Sequence, residues 1–169
     1  METKDWILLL IPIVCNGLFI FCFQSFVSHK LKKSEKHREV IFDIINKLSK
    51  MVCENYEMII LLINECSPGF TPVELMKPAP FENLWNPIAH KTVQIYNYAQ
   101  IHNVILKSKN ISLDDFVNSY ETLASFLGKI INKPLSTEDK QQIFFLITEF
   151  KNSTIALNTK LEQVLSKKI

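Results

Sequence analysis

The stretch IFFLITEFKNSTIALNTKLEQV, Ile143 to Val164, decides the fold. Its Ile143, Ile147, Phe150, Thr154, Leu157, Leu161 and Val164 recur at alternating spacings of four and three, which places them along one side of an α-helix. A seam of that kind suits a long helix packed in a bundle or paired with a copy of itself. The same period runs outward through the chain. Ser136 and Asp139 form a cap arrangement before the seam. Before them, Phe116, Tyr120, Leu123, Leu127 and Ile130 mark another helix, which Pro134 ends. Ser112 to Asp115 resembles a capping box with Asp in place of Glu, and Ile111 and Phe116 stand at the positions of a hydrophobic staple.

Two further segments complete the pattern. Asn86-Pro87 reads as a cap and first helical residue. From there a helix is expected to about Lys107, with Leu84, Ile88, Ile95, Ala99, His102 and Leu106 on one face. Over roughly residues 30 to 66, Ile41, Ile44, Ile45, Leu48, Val52, Tyr56, Ile59 and Ile63 keep helical spacing, and Met58 to Ile63 reads as a buried core segment. Between these two helices, SPGFTP and MKPAPFENLWNP form a connection holding Pro68, Pro72, Pro78, Pro80 and Pro87. No stretch reads as a β-strand. Residues 39–169 are therefore expected to form an all-α bundle of about four helices.

The first 28 residues belong to a different class. WILLLIPIVCNGLFIFCFQSFV, Trp6 to Val27, is 22 residues without a charge. As a helix it is roughly 33 Å long, the hydrocarbon thickness of a bilayer. A cleaved signal peptide would have a shorter apolar region, a basic leading flank and a small-residue cleavage site. METKD and QSFVSHK offer none of these, so a retained transmembrane anchor over residues 1–28 is the better reading. The basic juxtamembrane segment, residues 29–38, carries Lys30, Lys32, Lys33, Lys36 and Arg38 against Glu35. The excess of cations predicts a single-pass protein with its C-terminal domain in the cytoplasm. Cys53 and Cys66 then face a reducing compartment, and the glycosylation patterns at Asn110 and Asn152 stay unused. Asn16, near the middle of the span, is costly in lipid without a partner. It reads as a hydrogen bond across an oligomer, a polar ring in a pore, or one amide tolerated by an apolar helix.

Enzyme signatures are missing. There is no GxGxxG, GxxxxGK, G-x-S-x-G or H-E-x-x-H, and His29, His37, His90 and His102 lack metal-ligand spacing. The acidic pairs Asp114/Asp115 and Glu138/Asp139 sit in helix first turns, where the helix dipole accounts for them. No catalytic residue, cofactor or metal is expected. Residues 39–169 hold 13 basic and 14 acidic residues, which lacks the broad basic face of a protein that tracks a long nucleic acid. The charge is uneven, however. Residues 83–113 contain no acid, and they bring together Lys91, Lys107, Lys109, five Asn, two Gln, Trp85, Tyr96 and Tyr98. Cations, amides and aromatic rings are the groups that hold a small nucleotide. On a helix, His90, Lys91, Gln94, Asn97 and Tyr98 share one face away from the apolar stripe, and they are the candidate ligand site. Packing of the tyrosines and a satisfied core position for His102 are the plain alternatives.

A short basic-flanked span, Trp6–Val27 with His29–Arg38, feeding a small helical domain with the polar-aromatic stretch Asn83–Asn110, resembles the membrane effectors of bacterial antiviral defence. Within these it is most similar to the small membrane proteins of type III CRISPR systems whose cytoplasmic domain recognises cyclic tetra-adenylate. The resemblance implies a homo-oligomer in the bacterial inner membrane. It would bind a cyclic oligoadenylate symmetrically, perturb the lipid bilayer and stop growth of the infected cell. Two other readings fit the same residues: a non-enzymatic membrane scaffold that recruits a partner through the Ile143–Val164 seam, and a small membrane toxin or exclusion protein acting through the span alone.

Overall fold

The computed structural model describes the backbone of residues 3–65, 78–130 and 136–167, and the side chains of residues 24–64, 83–130 and 136–167. The protein is all-α. Helix α1 is Thr3–Glu65, α2 Pro78–Ile101, α3 Asn103–Ser108, α4 Asp114–Ile130 and α5 Thr137–Ser166, with no strand among the described residues. The chain divides into two compact units, Met1–Ile41 and Phe42–Ile169. In the first, every described side chain from Gln24 to Val40 is exposed. Among the described residues no helix is long and apolar enough to cross a membrane. The side chains of Trp6–Phe23, which make up most of the expected span and include Asn16, lie outside the described residues.

The second unit is a four-helix arrangement in which each long helix touches two others. The α1 residues Glu54 and Asn55 bond to Lys91 and Thr92 of α2. Trp85 of α2 stacks on Tyr120 of α4 with ring centroids 5.8 Å apart. Phe116 and Tyr120 of α4 pack against Phe150 of α5, at 5.4 and 5.7 Å. Asn158 of α5 accepts hydrogen bonds from Ser49 and Cys53 of α1, which closes the ring. Lys47 lies at Tyr98 while Glu54 lies at Lys91, so α1 and α2 run antiparallel.

Helical spacing in the sequence explains the core. Ile45, Leu48, Val52 and Ile59 of α1, Ile88 and Ile95 of α2, Phe116 and Leu123 of α4, and Phe150 and Leu161 of α5 are essentially inaccessible to solvent. The opening seam is buried in its own chain from Ile143 to Leu161, with Leu146 added to it. Burial takes that seam away from any outside helix, and with it the feature on which a scaffold reading through α5 stood. Ser136 caps α5 as expected: its hydroxyl accepts from Asp139 N–H, and the Asp139 carboxylate accepts from Ser136 N–H.

Local expectations fail at four places, each for a physical reason. Pro87 is not the first residue of a helix but lies inside α2, which begins at Pro78. Proline is tolerated at that first turn. Inside the helix, Pro87 donates no hydrogen bond to the carbonyl of Asn83, and both residues are exposed, so the gap in the ladder is on the solvent side. The helix expected to about Lys107 is interrupted at His102 by a single turn residue, and Leu106 and Ile111 beyond it are both buried. Asn110, at φ 56°, closes α3. Ile111 N–H donates to Leu106 O and Asn110 N–H to Lys107 O, a Schellman closure with Asn in the left-handed position. The Ser112 hydroxyl accepts from Asp114 N–H rather than from Asp115, so the expected capping box there does not form. Finally, Met58 to Ile63 is not a wholly buried segment. On an amphipathic helix only Ile59 and Leu62 face inward, and Leu61 is exposed.

Candidate functional site

The outer side of α2 carries the residues singled out from sequence. His90, Gln94 and Asn97 are exposed along one strip, and Gln94 Nε2 lies 3.4 Å from His90 Nδ1. Lys91 and Tyr98 occupy the flank of that strip, half-buried and turned toward α1. The five residues thus span the border between the solvent face of α2 and the α1–α2 seam rather than a single open face.

The partners at that border set its electrostatics. Lys91 Nζ donates to Glu54 Oε2 at 2.6 Å. That hydrogen bond, together with the Lys91 charge and a weaker contribution from Lys50, holds the Glu54 carboxyl below its ordinary pKa of 4.5. Tyr98 sits beneath the Lys47 ammonium, 5.1 Å from the ring centroid, and its ring lies 4.6 Å from His102. Burial, and secondarily the Asp43 charge, raise the Tyr98 phenol above its usual 10.0. Lys47, Asp43 and Glu54 come from α1, 29 to 40 residues before the acid-free stretch in the linear chain. Their arrival here follows from antiparallel pairing, which residue spacing within α2 does not reveal.

Directly beneath this border is the polar centre of the core. Asn55 is fully buried; its Nδ2 donates to Thr92 Oγ1 at 3.1 Å, and Thr92 Oγ1 donates onward to Ile88 O at 2.9 Å. Among the described residues nothing donates to Asn55 Oδ1.

A concave feature elsewhere went unmarked in the sequence. It is a groove of about 360 Å³ between α4 and α5, where Asp115, Asn118 and Thr122 face Leu146, Glu149 and Ser153. Its two carboxylates oppose an anionic ligand, so it does not compete with the α2 face as a nucleotide site. No group of three His, Cys, Asp or Glu side chains able to hold a metal occurs among the described residues. Comparison of the chain with protein-family models, with curated proteins and with solved structures found no match.

Proposed function

We propose that the protein is a non-enzymatic, membrane-anchored effector that works as a homo-oligomer and responds to a cyclic oligoadenylate. The observation that carries the reading is the uncharged run Trp6–Val27 followed by the five cations of residues 30–38. It supports a reading of the chain as a single-pass protein of the bacterial inner membrane, with the helical unit in the cytoplasm.

The α2 border supplies the ligand chemistry. His90, Gln94 and Asn97 offer exposed donors and acceptors, and Lys47 and Lys91 offer cations. Because Lys91 is held by Glu54, a phosphate competes with that carboxylate for its charge. Ligand binding therefore favours an arrangement in which α1 and α2 are less tightly joined, and α1 is also the helix that includes the apolar run. Such differential affinity is what any ligand-driven transition requires. Several copies pooling their cations at a symmetry axis offset the near-neutral charge of one domain.

Titration of the full chain in nanodiscs with cyclic tetra-adenylate, followed by calorimetry, tests the reading. Saturable heat is expected; Lys91→Ala abolishes it and Glu54→Gln, which removes the competing carboxylate, tightens it. Absence of binding at micromolar ligand rejects the messenger. Recovery of the intact chain from the aqueous fraction of lysed cells rejects the anchor.

A further inference from the structure

Every side chain of α1 from Gln24 to Val40 is exposed. Within residues 29–38 stand Lys30, Lys32, Lys33, Lys36 and Arg38 against the single acid Glu35. Among the described residues none of these five cations is in an ion pair. They occupy about 12 Å of helix, where like charges repel one another. Successive helical residues turn by about 100°, so with Lys30 at zero the others stand at about 80° (Arg38), 200° (Lys32), 240° (Lys36) and 300° (Lys33). The cations therefore ring the helix as a collar and do not form a face. Apolar residues are sorted along the axis instead. Phe26 and Val27, 66% and 36% exposed, precede the first lysine, and the charge-free run back to Trp6 lies beyond them. Leu31 is the one large apolar residue inside the collar.

We propose that this collar binds the headgroups of anionic phospholipids, with α1 passing through the headgroup layer and not lying along it. The inference rests on the membrane-anchored reading and names the lipid class that the anchor meets. A helix lying in the interface keeps its cations on one face and its apolar residues on the other. A helix crossing the interface meets hydrocarbon first and headgroups next, so its residues are sorted along the axis, as they are in α1. Cations on every side are reached together only by a partner that surrounds the helix. A folded protein or a nucleic-acid strand approaches from one side and leaves the remainder unpaired. The length of the collar also fits, since the headgroup layer is about 5–8 Å deep and the counter-charge beyond it decays over about 8–10 Å. Lysine stems carry their ammonium groups to the phosphates, and the Arg38 fork matches two phosphate oxygens. Choline and ethanolamine cancel the charge of their own phosphate. The attraction is therefore directed to lipids with a net negative charge, such as phosphatidylglycerol.

The full chain is reconstituted in phosphatidylcholine vesicles, and electron spin resonance of spin-labelled phosphatidylglycerol and phosphatidylcholine measures the fraction of each held at the protein. A preference of about fivefold for the anionic lipid is expected, the amount that one cation near the surface supplies. The preference should disappear in 1 M salt, where charge acts over only about 3 Å. It should also disappear in the combined variant Lys30→Gln, Lys32→Gln, Lys33→Gln, Lys36→Gln and Arg38→Gln, whose helical content is unchanged because all five positions are exposed. Changing the four lysines to arginine should preserve it, since the charge is kept. An alkaline wash of the vesicles reports on the anchor separately. A chain that survives the wash and shows no lipid preference overturns the collar and leaves the anchor standing, whereas a chain lost in the wash overturns both. Binding of single-stranded RNA that the five substitutions abolish, without any lipid preference, replaces the lipid with a nucleic acid.

Discussion

Replacing Asn55 with leucine should make the protein more stable, although it removes a hydrogen bond from the core. Asn55 has no solvent exposure, and among the described residues its Oδ1 has no donor. Burying a polar atom in that state costs about 1–3 kcal/mol. The single bond from Nδ2 to Thr92 returns a net of roughly 0.5–1.5 kcal/mol. Thr92 does not become an orphan when the amide is removed, because its hydroxyl still donates to Ile88 O. Leucine has the same branched outline as asparagine but is bulkier, so tighter packing at this closed site offsets part of the gain. Its two methyl groups add apolar burial at about 25 cal/mol per Å². The balance favours Asn55→Leu by about 1 kcal/mol, a rise in Tm of a few degrees for a chain of this length. Thermal unfolding of the purified chain, followed by near-ultraviolet circular dichroism, measures the shift. Asn55→Ala should move the other way, since it loses the bond and opens a cavity. A lower Tm for Asn55→Leu would refute the reasoning and show that Oδ1 is stabilised where it lies.

The remaining expectations concern the α4–α5 pairing, the cap and the ion pair. Phe150→Ala removes the ring against which Phe116 and Tyr120 pack and should destabilise by about 3–5 kcal/mol, read from a denaturation midpoint. Ser136→Ala breaks the capping box of α5 and should cost about 1 kcal/mol, seen as a drop of a few degrees in Tm. The Glu54 carboxyl is held below its ordinary value by the Lys91 hydrogen bond. Its contribution to stability is therefore complete above the unfolded pKa of 4.5 and is lost as the pH falls through the lower folded value. Glu54→Gln should remove that part of the acid dependence, and melting curves of both proteins from neutral to acid pH would show an unchanged slope if the pairing contributes nothing.

How much of this was legible beforehand depended on whether the information was local. Seven residues of the Ile143–Val164 seam were named from spacing, and six of them are buried, with Val164 half-buried. The Ser136 cap was equally readable, because donor and acceptor stand three residues apart. Met58–Ile63 misled because a run of apolar types says nothing about which side of the helix each residue occupies. Pro87 misled because the chance of a proline inside a helix turns on whether the broken ladder faces water, which tertiary burial decides. The candidate site divides along the same line. Its α2 residues were found from composition, but the pairing of Lys91 with Glu54 and of Tyr98 with Lys47 depends on α1 lying antiparallel alongside.

The sequence by itself determined that the chain is helical, which faces of the long helices turn inward, and where an uncharged run precedes a basic one. These follow from the period of the helix and from the transfer free energies of single side chains, both of which act over a few neighbouring residues. Only the tertiary structure decided that the last seam is used up within the chain, that the cation at position 91 is already neutralised, and that the cations of residues 30–38 are left facing outward. Those outcomes depend on which helix lies beside which, and contacts between residues 30 to 109 positions apart leave no periodic trace in the linear chain.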